Sequence, residues 1–263
     1  MSRDSRQLMA IDVGNTHTVI GLFEGGRLVR HWRVVTEADR TADEYGMLMW
    51  NLYHAAEIPT PKVTAIAVSC VVPPLLATVE ELCRVYFKVE PLVVGPGIKT
   101  GMPILYDNPR EIGADRIVNA IAAYERSERA TIVVDFGTAT TFDFVSAAGE
   151  YVGGTIVPGI GISLDALYTR TAKLPRVELV RPDRVIGRNT VHAIQAGVIH
   201  GYVSLVDGLV RKIESEEEVE AYVLATGGLA SLIAADSETI RDVDEFLTLT
   251  GLQLVYERNC KSS

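Results

Sequence analysis

Short continuous apolar runs, period-two stretches and helix-spaced apolar positions succeed one another along this chain, and the same order appears twice. Residues 8–13 form a short apolar run that ends in Gly14-Asn15-Thr16. A second apolar stretch covers 18–23, Gly25-Gly26 supplies a hairpin turn, and 28–35 reads as a third strand. That pattern predicts an antiparallel meander opened by a buried strand. Helical spacing follows at 42–56. Residues 64–72 are apolar and rich in β-branched side chains, and Pro73-Pro74 closes them. An amphipathic helix is expected over 75–87, a short strand over 91–94, and a helix over 116–126.

The layout then returns. Residues 131–135 form a β-branched run, 142–145 a second strand, 147–149 a turn and 151–157 a third strand. The two starts align as Asp12-Val-Gly14-Asn15-Thr16-His17-Thr18 over Asp135-Phe-Gly137-Thr138-Ala139-Thr140-Thr141, nearly half of the 263 residues apart. A repeat of that length predicts two copies of a domain. The expected fold is α/β, with a mixed sheet flanked by helices in each half. The halves are 1–127 and 128–263, divided at the short polar stretch 127–130. A cleft between them is the expected ligand site.

Further along, apolar residues at 191, 194, 198, 202, 205, 209 and 213 give a core-facing stripe on a long helix over 191–213. Thr190 and Asn189 compete for its N-cap. A second stripe is small: Ala193, Gly197 and Gly201. Each mid-helix glycine costs about 1 kcal/mol relative to alanine. Close helix–helix approach, within the chain or across a dimer, offsets such a cost. The acidic stretch 214–220 reads as a solvated turn beyond the helix. A strand over 222–225 runs into Thr226-Gly227-Gly228, with a helical pattern from 229.

Charge narrows the function classes. Lys plus Arg number 25 against 34 Asp plus Glu, a formal net charge of −9. This balance lacks the footprint of a nucleic-acid binder. The start, 1–7, is polar, and the apolar stretch after it reaches Asp12 too soon for a signal peptide. No window approaches 18 uninterrupted apolar residues, so no membrane span is expected. Cys70, Cys83 and Cys260 are too few and too scattered for a disulfide framework or metal site. They read as two buried small hydrophobes and one free thiol, in a reducing, cytoplasmic setting. His17, His31, His54, His192 and His200 show no zinc spacing. They read as non-catalytic, apart from His17, which lies inside the first Asp-x-Gly element.

Those two elements carry the chemistry. Each puts a carboxylate at the end of a buried strand, then a tight glycine turn with hydroxyl or amide side chains. Glycine lets backbone N–H groups approach a phosphate closely. Asn15, Thr16, Thr18, Thr138 and Thr140 add donors. The aspartates are anionic, so they suit a cation, or waters around one, that neutralises phosphate. Asn108-Pro109 makes a turn, and Asp115 then stands at a helix N-terminus, where the macrodipole favours its ionised form.

With these motifs in view, the chain resembles the type III pantothenate kinase family of the actin-like ATPase and sugar kinase superfamily. The resemblance rests on Asp12-Val-Gly-Asn-Thr16, Asn108-Pro109, Gly113-Ala-Asp115-Arg116, Asp135-Phe-Gly-Thr-Ala-Thr-Thr141, Gly153-Gly154, Pro158-Gly159, Gly187-Arg-Asn-Thr190 and Thr226-Gly-Gly228. It spans residues 9 to about 258 in order. It implies two duplicated actin-like (ribonuclease H-like) domains, and ATP-dependent phosphorylation of pantothenate, the first step of coenzyme A synthesis.

By the same resemblance, Asp115 is the catalytic base, and Tyr106, Gly113, Ala114, Asp115, Arg116 and Thr190 hold pantothenate. ATP falls to Asp12, Val13, Gly14, Asn15, Thr16, His17, Thr18, Val19 and Thr138. Asp12 organises Mg2+, through water, and Asp135 binds a monovalent cation, K+ or NH4+. A homodimer is also implied. Read locally, Asp115 is a plain first-turn acid, Arg116 a surface helix residue and Tyr106 a half-buried residue before a turn. The 153–161 stretch is either a nucleotide or substrate loop or a flexible strand exit. Two other readings of the same scaffold are a kinase for another small hydroxylated acceptor and a non-catalytic accessory factor.

Overall fold

The structure is a computed structural model that describes residues 7–56 and 63–260. The polar stretch 1–6 lies outside the described residues. The chain divides into two compact units. One takes the described residues of Met1–Gly101, Asp107–Ala122 and Thr248–Ser263; the other takes Met102–Tyr106 and Ala123–Leu247.

In the first unit, β1 (Gln7–Val13), β2 (His17–Glu24) and β3 (Arg27–Val35) form the expected antiparallel meander. Then β4 (Val63–Cys70) and β5 (Leu92–Val93) add parallel to β1 and to β4, giving the order β3-β2-β1-β4-β5. β1 is central, which is why Leu8, Met9, Ala10, Ile11 and Val13 are all buried without alternation. α1 (Ala42–Ala55) starts at a capping box between Thr41 and Glu44 and packs Tyr45, Met49 and Tyr53 against the sheet.

Two expectations here need correction. The strand 64–72 ends at Cys70, and Pro73-Pro74 open α2 (Pro73–Leu82) instead of only closing a strand. Proline suits the first helical turn, whose N–H groups have no intrahelical partner. The single helix expected over 75–87 is α2 followed by a π-helical turn, Cys83–Phe87, which Lys88 ends at φ 57°. The wider turn carries Tyr86 over Gly46 of α1, where its hydroxyl donates to Asp43 at 2.7 Å.

The second unit repeats the topology. β6 (Thr131–Phe136), β7 (Ala139–Val145) and β8 (Tyr151–Pro158) are antiparallel. β9 (Tyr222–Thr226) and β10 (Asp242–Val243) follow in parallel, giving β10-β9-β6-β7-β8. Read from the hairpin edge, both sheets have the same order, so the duplication inferred from the Asp-x-Gly elements is a duplication of architecture.

The glycine-rich stretch 153–161 is strand and then helix rather than a loop. β8 runs through it to Pro158, Gly159 caps the next helix, and α4 (Ile160–Arg170) follows. α5 (Thr190–Glu216) is capped by Asn189, whose side chain accepts from the His192 N–H at 2.8 Å, so Thr190 is the first helical residue. The helix runs to Glu216, so the acidic stretch is helical for its first three residues.

α5 is long and apolar enough to cross a membrane by length and composition. Its Ile194, Val198, Ile199, Val206 and Val210 are core residues of this unit, as are α6 (Ala230–Ala234) residues Ala230 and Ile233. Val191, expected in the stripe, is exposed. α3 (Ala114–Ser127) begins two residues earlier than the pattern predicted, and α7 (Leu247–Cys260) was not foreseen. Of the cysteines, Cys83 is buried, Cys70 half-buried and Cys260 exposed. Burial pushes the Cys83 thiol up to about 12.

Candidate active site

In the first unit, Asp12 is half-buried near the end of β1 and Val13 is buried behind it. Gly14, Asn15 and Thr16 form the turn into β2, where His17, Thr18 and Val19 begin the strand. The Gly14 N–H closes this turn on the His17 carbonyl at 3.1 Å. Thr36, just past β3, supports it from the side: its N–H donates to the Thr16 carbonyl at 3.0 Å, and its hydroxyl lies 2.9 Å from that of Thr18. Asn15, Thr16 and His17 are exposed at the tip, whereas Thr18 is buried and tied to Thr36. Thr36 carries no sequence signal, because its contribution is half backbone and comes from the far end of a neighbouring strand.

Asp115 stands in the first turn of α3 and accepts from the Arg116 N–H at 2.8 Å. The segment before it is a short 3-10 turn, Pro109–Glu111, capped by the Asn108 side chain. Gly113 lies so close to Asp115 Oδ1 that a Cβ there would overlap it. On its other side, a Cβ would stand 3.6 Å from Val71 Cγ1. Val71 in turn donates its N–H to the Val13 carbonyl at 3.0 Å. The fold therefore brings the Gly113–Arg116 segment to the same corner as the end of β1. Ala114 is half-buried, and Arg116 is buried at 8% exposure, against its local reading as a surface residue.

In the second unit, Asp135 is half-buried one residue before the end of β6, and Thr138 is exposed on the turn into β7. That turn closes through the Gly137 N–H on the Ala139 carbonyl at 3.0 Å. Gly159 donates to the Thr138 carbonyl at 3.1 Å and has no room for a side chain there. Thr226 pairs with Asp135 across β9 and β6. Gly227 follows at φ 92°, where a Cβ would stand 2.6 Å from the Phe136 carbonyl oxygen and 2.8 Å from Asp135 Oδ1. The Asp135 turn, the Thr226-Gly227 turn and Gly159 thus converge at the carboxyl ends of β6 and β9. An oxygen-lined cradle kept open by a glycine suits a cation that takes carboxylate and carbonyl ligands.

Two predicted residues of this unit lie elsewhere within it. Tyr106 is half-buried, its ring 6.4 Å from that of Tyr151. Thr190 opens onto a cavity of about 760 Å3 along α5, lined also by Leu167, Gly187, Ala193, Gly197 and Gly201. Among the described residues, nothing beyond the adjoining turns of α5 lies within 4 Å of a Cβ position on Gly197 or Gly201. The small stripe is therefore open at Gly197 and Gly201, whereas Gly187 packs against the backbone at Ala193.

Comparison with known proteins bears on this geometry. The family described as type III pantothenate kinase matches residues 8–212. A type III pantothenate kinase of Myxococcus xanthus (strain DK1622) is 60% identical over 252 residues, covering 96% of this chain and 98% of that protein. Among solved structures, a protein described as a Baf family transcriptional activator from Campylobacter jejuni superposes with a TM-score of 0.62 at 19% identity, over 96% of this chain and 99% of that one. A polyphosphate/ATP-glucomannokinase from Arthrobacter sp. strain KM superposes with a TM-score of 0.51 at 14% identity, over 96% and 99%. These two likenesses concern the fold alone.

Proposed function

This chain belongs to the type III pantothenate kinase family, and from that premise we propose how its residues share the work. The reaction is ATP-dependent phosphorylation of pantothenate to 4′-phosphopantothenate, the first step of coenzyme A synthesis.

The observation that carries the assignment is the convergence of the Gly113–Arg116 segment on the end of β1 through Val71. It supports a base and a phosphate turn that serve one substrate pair. Asp115 receives the proton of the pantothenate primary hydroxyl as that oxygen bonds to the γ-phosphorus. The bond from the γ-phosphorus to the bridging oxygen breaks, and ADP leaves. In a loose transition state the proton departs late, so a carboxylate that orients the hydroxyl is strong enough. Tyr106, Gly113, Ala114, Arg116 and Thr190 hold pantothenate. The 12–19 turn and Thr138 hold ATP.

Asp12 would hold Mg2+ through water, and Asp135 with the Phe136 carbonyl would hold K+ or NH4+. When bound, these ions offset phosphate charge. The cradle beside Gly227 is the support for the Asp135 assignment. The chain works as a homodimer through the face of α5 that carries Gly197 and Gly201, where exposed apolar Leu167 lines the same groove. It works in the cytoplasm, which suits its three free cysteines. The presence of Asp12, Asp115 and Asp135 argues against the accessory-factor reading. The test is ADP release with pantothenate as acceptor in magnesium, comparing potassium with sodium. Release that needs pantothenate and is faster in potassium supports both assignments. Release that ignores the cation removes the Asp135 assignment, and no release with pantothenate removes the base assignment.

A further inference from the structure

The second unit contains a buried carboxylate that the reaction above does not use. Asp143 of β7 is fully buried. It accepts from the Tyr151 hydroxyl at 2.6 Å and from the Thr141 hydroxyl at 3.1 Å. Hydrogen bonds from neutral donors to a buried carboxylate are among the stronger ones in a protein, and such a group is costly to bury without them. Its retention in the interior calls for a role.

The β7–β8 ladder shows how Tyr151 reaches it. Asp143 pairs with Gly154 and Phe144 with Gly153, but Val145 pairs with Tyr151, so Val152 is an extra residue on β8. A one-residue bulge exchanges the faces of everything beyond it. In a regular ladder Val152 would take the Asp143 face; the bulge gives that face to Tyr151.

Tyr151 also carries the segment before the Asn108 turn. Its N–H donates to the Pro103 carbonyl and its carbonyl accepts from the Leu105 N–H, both at 2.8 Å. This makes Ile104 a parallel bridge partner of Tyr151. Two residues beyond Ile104, the Tyr106 ring meets the Tyr151 ring at 6.4 Å, tilted by 58°. That is within the range of a favourable aromatic pair. The other neighbour is Gly153, where a Cβ would stand 3.8 Å from the Tyr106 ring. Tyr151 thus fixes the backbone before Tyr106 and the ring of Tyr106, and Asp143 fixes Tyr151.

We propose that Asp143 and Tyr151 are positioning residues for the substrate aromatic Tyr106: the buried carboxylate locks the Tyr151 ring, which sets the Tyr106 ring against pantothenate. This rests on the reading that Tyr106 lines the pantothenate pocket. The β8 bulge is the device that puts the lock on the correct face of the sheet.

The test is steady-state kinetics, with pantothenate and ATP varied separately, on Tyr151→Phe, Asp143→Asn, Tyr106→Ala and the double variant Tyr106→Ala/Tyr151→Phe. Tyr151→Phe keeps the ring and removes one buried oxygen. It is expected to raise the KM for pantothenate about tenfold, equivalent to ~1.4 kcal/mol, with the KM for ATP unchanged. In the Tyr106→Ala background the same change is expected to add nothing, because its effect runs through Tyr106. If Tyr106→Ala raises the KM for pantothenate and Tyr151→Phe does not, the inference is overturned and the reading of Tyr106 stands. If Tyr106→Ala leaves that KM unchanged, the reading of Tyr106 falls and takes the inference with it. Equal rises in both KM values for Tyr151→Phe would mark a purely structural role and also overturn it. Should Asp143→Asn not fold, Tyr151→Phe alone decides.

Discussion

Val71 joins two parts of the first unit that are distant in sequence: its N–H donates to the Val13 carbonyl at 3.0 Å, and its side chain faces Gly113. The strand that presents the first phosphate turn and the segment that presents Asp115 are therefore held at one corner by a single residue.

That relationship makes Gly113 a sensitive position. A methyl group there would overlap the flexible end of the Asp115 side chain, so the carboxylate would move and the backbone would not. Gly113→Ala is expected to lower kcat about a hundredfold, the scale of a small displacement of a reacting group. Thermal unfolding should shift little. A variant with normal turnover would show that Asp115 does not work from this rotamer.

Gly227 is constrained differently. At φ 92° a side chain is strained, and its Cβ would press on the Phe136 carbonyl oxygen and Asp135 Oδ1. Gly227→Ala is expected to cost about 1–3 kcal/mol in denaturant unfolding. It should also weaken activation by potassium relative to sodium. A destabilised variant with unaltered cation dependence would separate the cradle from the cation.

Asp207 of α5 anchors the chain at 237–239. It accepts from the Ser237 and Thr239 hydroxyls at 2.6 and 2.8 Å and from the Glu238 and Thr239 N–H groups at 3.1 and 3.2 Å. Burial by itself would raise its carboxyl; these four donors outweigh burial and hold it below the ordinary carboxylate value. A folded value below the unfolded one, about 3.9, gives stability that is present above about pH 4 and lost as the pH falls through the folded value. Asp207→Asn should cost about 1–3 kcal/mol at pH 7. The gap to wild type should close in urea unfolding as the pH falls below about 4. A gap independent of pH would contradict the charge-based account.

Gly197 tests the proposed dimer, because among the described residues nothing beyond the adjoining turns of α5 lies within 4 Å of a Cβ there. Gly197→Arg should leave the chain folded with its helix content intact by circular dichroism, since glycine is the poorer helix former by about 1 kcal/mol. In sedimentation it should convert a dimer into a monomer. A variant that remains dimeric would place the interface elsewhere.

Much of this architecture was legible because burial and charge leave marks on residue type. β1 and β6 are central strands, so their apolar runs and the aspartates near their carboxyl ends stood out as a pair. Gly153 and Gly154 do not break the strand expected over 151–157; what the sequence hides is the bulge in β8 and its direct passage into α4. α7 was missed although Leu247, Leu249, Leu252 and Val255 are buried. Its glycine, Gly251, sits against the Val118 carbonyl of α3, a close approach that local sequence does not announce. Val71 and Thr36 contribute backbone N–H groups, which any residue could supply. Asp143 looks like any polar residue on a strand until the bulge is known, and Arg116 looked solvent-facing because nothing in its own helix reveals what lies above it.

The most direct test of the central claim is Asp115→Asn, which keeps the shape of the side chain and removes its capacity to take a proton. ADP release with pantothenate should fall by about 10²–10⁴-fold, the range general-base catalysis supplies. Calorimetric titration should still show pantothenate binding, and the melting temperature should hold. Turnover close to wild type in a folded, pantothenate-binding variant would contradict the assignment of Asp115 as the base.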